Sequence, residues 1–524
     1  MSVCIVYAIL LVMNIATEVV LSVMPLEKLN YSVLANRELP PMQRIWTDTD
    51  LSHAWAVLNY DQMRPFITKL ENGEPIAISA LGDSILKDYG GCYHTSLSGI
   101  QQVVEQLGPA YMNPRCSESS YPSDGWLSRF MYMINHTWPH GDHLLINHGI
   151  SAMSFHAFAH GSCLERYIPP KTDLLILEHL PYLDDESDAS GQSLALLLNR
   201  LRFVFHDQIL PPVIVLNMHR LTSSKPTTWI LNCLRNISSC GGSCSKQFLS
   251  LPHTSCNRSD AEIGANKISE QYGLASFSFN SLLIHLASQN RSRCELFSTL
   301  FMDALHPSSS GSMLFADVLV QYLNLSLQHN YHQQNHTLSS SSTGSGAEAM
   351  KHIVTLRVPY MKCYGYSTGY TSNASHSNMR VRRMEGWVFS ESDMSAQNIK
   401  PGWLAKQPGA VIEIEIDLNI SSQVVNDTLL AGITYLASYQ HMGKFSVVCL
   451  SGCQCNVSVI DGHIIQKHSV PLFHEFIITR TPHNTAVCVV QALVLNSTRS
   501  GEHKAKITQV FFKTWIETEY AHFN

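Results

Sequence analysis

The sequence predicts an α/β domain, a three-layer α/β/α parallel sheet, followed by a smaller all-β sandwich. Three observations carry this. Between Ile76 and Leu327, short apolar runs alternate with stretches of helical periodicity, the pattern of a parallel sheet covered by helices on both faces. From Lys351 onward, the chain reads instead as many short strands between turn residues, as in an antiparallel sandwich. Between the two lies a His/Gln/Ser-rich stretch that cannot bury a core. The expected division is 1–22 as a signal peptide, 23–75 as a lead-in packed on the first domain, 76–328 as the α/β domain, 329–350 as a flexible linker, and 351–524 as the β-sandwich.

Taken in order, Val3 to Met13 is apolar for about eleven residues before Asn14 and Glu18 interrupt it. That is too short to span a membrane and suits a signal-peptide core; a buried N-terminal helix is the alternative. The lead-in carries helical stretches, including Trp55 to Leu70. Ile76 to Leu81 reads as a short buried strand that Gly82 ends. Ser98 to Gly108 keeps an i, i+3, i+4, i+7 apolar face, and Leu127, Phe130, Met131 and Ile134 repeat that spacing. Further strands are expected at Leu144 to Ile146, Leu174 to Leu177, Val213 to Leu216 and Leu274 to Phe279. Helices are expected at Leu194 to Val204, Glu262 to Tyr272 and Met313 to Leu323.

In the second domain, Val411-Ile-Glu-Ile-Glu-Ile-Asp417 alternates with period two, as a half-buried strand does. Thr434 to Tyr439, Lys444 to Leu450, Val457 to Ile465, Phe476 to Arg480, Ala486 to Leu495 and Ile507 to Trp515 are further strands. Cys449, Cys453 and Cys455 are placed to staple the sandwich. Trp387, Trp403, Tyr435 and Tyr439 read either as core aromatics or as a sugar-stacking set, with core packing favoured.

Chemistry enters at the end of the first strand, Ile-Ala-Ile-Ser-Ala-Leu-Gly-Asp83-Ser84. Open α/β sheets bind ligands at the carboxyl ends of their strands. A serine there can present its hydroxyl, with backbone N–H groups facing the same space. A capping serine would look the same. More than two hundred residues later, Asp303-Ala-Leu-His306-Pro307 supplies a base and an orienting carboxylate from one loop.

Gly-Asp-Ser84 and Asp303-x-x-His306 together resemble the serine and histidine blocks of the SGNH (GDSL-type) hydrolases. Leu70-Glu-Asn-Gly73-Glu-Pro75, Gly91-Cys92 and Leu177-Glu178 are further similar to a secreted, algal- and fungal-like eukaryotic subgroup. The resemblance implies an SGNH-hydrolase-like sheet and a catalytic triad of Ser84, Asp303 and His306. It also implies oxyanion donors at the backbone of Ser84 and of Gly149, the latter from Asn147-His-Gly149. The asparagine usual in the family's third block is missing after Leu174 to Leu177, where the chain reads Glu178-His-Leu-Pro-Tyr182. Losing one such donor costs about a hundred- to a thousandfold in rate; Tyr182, His179 and Asn147 are the residues able to compensate.

The 524 residues are 45% hydrophobic and 15% charged, with a net charge of -6. That balance gives no reason to expect nucleic acid as a partner. The 26 histidines form no His-Glu-x-x-His pair, and no Cys-x-x-Cys occurs, so no metal or cofactor is expected. Sequons stand at Asn30, Asn135, Asn236, Asn257, Asn290, Asn324, Asn335, Asn373, Asn419, Asn426, Asn456 and Asn496. Composition alone predicts roughly four or five, so their density points to a glycosylated, secreted or cell-surface chain. Of 14 cysteines, Cys4 falls in the signal segment; the others are spread as in a disulfide-bearing secreted protein, and no membrane span is expected after signal cleavage. The expected function is hydrolysis of acyl esters, O-acetyl groups of glycans first, through an acyl-enzyme. The rivals are an acyltransferase onto sugar hydroxyls and a catalytically weak glycan-binding surface protein.

Overall fold

All residues of Leu174–His179 and of Val213–Asn217 are buried, and strands apolar on both faces need a layer on each side. The computed structural model supplies both layers. It describes residues 46–86, 125–150, 153–164, 168–179, 190–205, 210–218, 260–289, 296, 299–301, 306–339, 352–365, 380–390, 402–418, 428–465, 469–481 and 486–522. The segment expected to be a signal peptide, the helix expected over Ser98 to Gly108, Cys92, Tyr182 and Asp303 lie outside these described residues.

The first sheet has six strands: β1 (Trp55–Val57), β2 (Ala77–Gly82), β3 (Leu144–Gly149), β4 (Leu174–His179), β5 (Val213–Asn217) and β6 (Ala275–Ser278). Their order is β1-β6-β5-β4-β2-β3. Strands β2 to β6 are parallel, and β1 joins β6 antiparallel at one edge. Alternate side chains part to opposite faces. Ile78, Ala80, Leu174, Ile176, Ile214, Leu216 and Phe277 enter one core. That core is completed by α1 (Asp48–Leu51), α2 (Arg64–Glu71), α3 (Trp126–Thr137), α7 (Phe279–Ser288) and α8 (Ser309–Ser339). Leu81, Leu175, Leu177, Val213 and Val215 enter the other, under α4 (Phe155–Gly161), α5 (Gln192–Val204) and α6 (Asp260–Tyr272).

Two expectations are corrected here. Trp55 to Val57 is a strand, not the start of a helix: Trp55 pairs with Phe277 and closes the open edge of β6. Asn59 Nδ2 then donates to Gly273 O at 2.5 Å, and the helix is delayed to Arg64, with Pro65 in its first turn. The helix expected over Met313 to Leu323 is far longer, Ser309–Ser339, and so takes in the first part of the stretch read as a flexible linker. Tertiary contacts override the polar composition there. Ser326 and Asn330 are buried, and Gln333 Nε2 donates to Asp61 at 3.2 Å. The rest of that stretch, 340–350, lies outside the described residues.

The second domain packs two antiparallel sheets around a shared core. One contains β7 (His352–Gly365), β9 (Trp387–Ser390), β10 (Gly402–Ala405), β12 (Thr428–Ser438), β14 (Cys453–Gln454), β16 (Ser469–Arg480) and β18 (Ala505–His522). The other contains β8 (Arg380–Glu385), β11 (Val411–Asp417), β13 (Lys444–Ser451), β15 (Ser458–Asp461) and β17 (Val487–Val494). Ile412, Ile414 and Ile416 point inward from β11, as their period-two spacing requires. Trp387, Trp403 and Tyr435 are buried in the same core, which is the packing role. Disulfides Cys449–Cys455 and Cys453–Cys488 staple it.

The domains are joined by the Cys163–Cys363 disulfide, from the loop after α4 to β7. Beside it, Phe473 of β16 lies 5.4 Å from the His156 ring and 6.0 Å from that of His160, and Thr434 Oγ1 donates to Gly161 O at 2.6 Å. Arg200 holds the end of α4 in place, donating to the carbonyls of Phe158, Ala159 and Ser162 at 2.8–2.9 Å. Among the described residues, no helix is long and apolar enough to cross a membrane.

Candidate active site

Strand β2 ends at Gly82, and the next four residues, Asp83 to Leu86, form a buried turn. Its backbone is almost fully used. Asp83 N–H and Leu86 N–H both donate to Glu178 Oε2 of β4, at 2.8 and 3.0 Å. Ile85 N–H donates to Asp83 Oδ1 at 2.8 Å, closing an Asx-type turn. From outside the turn, Trp126 Nε1 donates to Ile85 O at 3.0 Å, and Asn147 Nδ2 to Leu86 O at 2.7 Å. Among the described residues, the N–H of Ser84 alone of the four has no acceptor. A backbone donor left over beside a serine hydroxyl is what stabilisation of a developing oxyanion needs.

His306 reaches this turn from the far end of the domain. Its Nε2 lies 2.8 Å from Ser84 Oγ, within reach for the imidazole to take the hydroxyl proton. The loop that carries it is held by the first turn of α8. Ser308 N–H donates to Leu300 O at 2.9 Å, and Ser312 N–H to Ser308 O at 2.8 Å. Gly311 lets Leu300 O approach so closely that a side chain there would collide with it. Asp303, the expected orienting carboxylate, lies outside the described residues.

Two further carboxyl groups lie beneath the serine. Burial raises the pKa of Asp83 to about 6, although its hydrogen bond from Ile85, Glu178 and the nearby His306 all pull it down. Glu178 is pushed well above the usual carboxylate range by burial and by the Asp83 charge. Ser84 Oγ is 3.3 Å from Asp83 Oδ2, so the hydroxyl lies between an acid of raised pKa and the imidazole.

The structure therefore brings Ser84 and His306 together. Gly149 is also at this sheet edge: it pairs with Gly82, and Ile150 N–H donates to Gly82 O at 2.9 Å. Its own N–H, however, donates to Asn147 Oδ1 at 2.9 Å, so it is engaged in this conformation. Of the residues that stand near the missing asparagine, His179 is committed elsewhere. Its Nδ1 lies 2.8 Å from Asn217 Oδ1, and its ring stacks on Phe155 at 4.5 Å. Asn147 touches the serine turn itself. Trp126, the first residue of α3, is a contact that sequence reasoning missed; nothing in its spacing marks a bond to a turn some forty residues earlier.

No family model and no curated sequence matches the chain. Among solved structures, a two-domain esterase active on acetylated mannans aligns over 90% of this chain and 99% of its own, with TM-score 0.50 and 15% identity. The same kind of esterase co-crystallised with mannopentaose aligns over the same shares at TM-score 0.48 and 15% identity. An α/β hydrolase from the metagenome of Lake Arreo, Spain, aligns over 48% of this chain and 96% of its own, with TM-score 0.28 and 10% identity. At such identities the likeness concerns the fold: an α/β domain followed by an antiparallel β domain.

Proposed function

We propose that this chain is a secreted serine ester hydrolase of SGNH type that removes O-acetyl groups from glycans. The observation that carries the reading is the 2.8 Å contact between Ser84 Oγ and His306 Nε2 at the carboxyl edge of a parallel sheet. In the first half-reaction, Ser84 Oγ bonds to the acyl carbon while its proton passes to His306 Nε2. The carbonyl oxygen becomes an oxyanion beside the Ser84 N–H. His306 then gives the proton to the leaving sugar oxygen as the ester C–O bond breaks. Water, deprotonated by His306, attacks the acyl-serine and releases acetate and free Ser84. Asp303, three residues before His306, orients the imidazole.

Gly149 N–H stands at the same strand end but is held by Asn147 Oδ1, so the Ser84 N–H is the oxyanion donor this arrangement offers. Glycan as the carrier is supported by the shared two-domain fold of the acetyl-mannan esterase and by the dense sequons of a chain that meets the cell exterior. The test is acetate release from acetylated mannan and from other acetylated glycans, compared with Ser84→Ala. Release that depends on Ser84 supports the reading. Release that is absent, or equal in the variant, contradicts it.

One observation favours a second reading, a catalytically weak glycan-binding protein: the Gly149 N–H is held by Asn147. In that case the protein binds acetylated glycan without turning it over.

A further inference from the structure

We propose that Glu178 and Asn147 are positioning residues that clamp the serine turn from the two strands flanking β2, and so set the geometry in which Ser84 reacts. The inference rests on the ester-hydrolase reading above and names residues that act through Ser84 without touching the substrate.

The clamp has two jaws. From β4, one oxygen of Glu178 accepts the N–H groups at both ends of the turn, Asp83 and Leu86. From β3, Asn147 donates to Leu86 O and accepts from Gly149 N–H. Leu86 is thus held through both its N–H and its carbonyl, by opposite neighbours. Ser84 keeps its own N–H and hydroxyl for chemistry, while the residues around it are tied.

Room for the first jaw is made by Gly82. It follows Leu81, the last residue of β2 paired with β4, and a side chain there would come within 2.6 Å of Glu178 Cβ and collide with Oε2. Glu178 is buried, so no solvent is at hand to take over the two backbone donors if the carboxyl is removed. Burial and the Asp83 charge favour its protonated, neutral form. Glutamine, neutral and of the same length, should therefore preserve the jaw.

The experiment compares wild type with Glu178→Gln, Glu178→Ala and Asn147→Ala. The readouts are the rate of labelling by a fluorophosphonate probe, kcat and KM on an acetyl ester, and hydrogen exchange at the Asp83 and Leu86 amides. In Glu178→Ala, labelling and kcat should fall about a hundredfold with KM nearly unchanged, as expected when a reacting group moves by an ångström. Glu178→Gln should stay within about threefold of wild type, because its amide oxygen accepts the same two bonds. Asn147→Ala should lower kcat about tenfold through loss of the Leu86 contact.

A glutamine variant as impaired as the alanine one, or an alanine variant that labels at the wild-type rate, overturns the proposal. If Glu178→Ala does not fold, Asn147→Ala decides: wild-type kcat there overturns the clamp. If wild type itself neither labels nor hydrolyses, the ester-hydrolase reading fails, and exchange still decides the clamp. Faster exchange of both amides in Glu178→Ala but not in Glu178→Gln upholds it; no difference overturns it.

Discussion

The Cys163–Cys363 disulfide joins the two domains covalently, and replacing both cysteines by alanine tests how far their arrangement depends on it. The two cysteines are 200 residues apart. For a loop of that length, the chain-entropy relation gives about 5 kcal/mol of stabilisation. Non-covalent contacts cluster beside it: Phe511 and Phe473 pack on the two cysteines, Phe473 also lies against His156 and His160, and Thr434 donates to Gly161 O. The docked state should lean on the covalent link as well as on these. In the double variant, urea unfolding should shift to lower denaturant and separate into two transitions, one for each domain. A cut within 340–351, at Glu348 or Lys351, sharpens the test. The two halves should remain joined on a non-reducing gel and separate when reductant is added. Halves that separate without reductant, or a double variant that unfolds like wild type, would show that the disulfide does not hold the domains together.

Three further outcomes follow from the site. Gly82→Ala should drive Glu178 off the turn. It leaves two buried N–H donors unpaired at about 1–3 kcal/mol each, so thermal unfolding should drop and fluorophosphonate labelling should be lost; unchanged labelling contradicts the packing. The folded-state pKa of Asp83, raised to about 6, means that the fold favours its protonated form. Its contribution to stability is then present below the unfolded value near pH 4 and lost as pH rises through 6. Asp83→Asn should remove that loss and be the more stable protein at pH 7.5 but not at pH 3.5 by urea unfolding. Of the proposed triad, His306→Ala should lower ester hydrolysis steeply, and Asp303→Asn should lower it less; rates equal to wild type in both variants would sink the assignment.

Much of this was legible in the sequence, for physical reasons that differ by element. β4 and β5 are apolar on both faces, so their runs stand out without an alignment. β11 alternates because Ile412, Ile414 and Ile416 enter the core while Val411, Glu415 and Asp417 on the other face stay half-buried. Gly-Asp-Ser84 and His306 are found because the chemistry demands particular residue types at a strand end and before a helix. What was not legible depends on contacts across long separations. β1 forms because β6 has an open edge, not because Trp55-Ala-Val57 announces a strand. The second half of α8 is helical because Asn330 is buried and Gln333 is tied to Asp61, whereas its composition alone reads as a linker. The pairing of Cys163 with Cys363 joins positions that no local pattern relates. At the site, Glu178 and Asn147 were visible as residues after strands, but their hold on the serine turn requires the register of three strands at once.

The proposed function stands on Ser84 as a nucleophile activated by His306. The most direct measurement is the mass of the intact protein after treatment with a fluorophosphonate, followed by peptide mapping. A single adduct is expected on the peptide that carries Ser84, absent in Ser84→Ala and strongly slowed in His306→Ala. An unmodified protein, or an adduct that persists on another residue in Ser84→Ala, would contradict it.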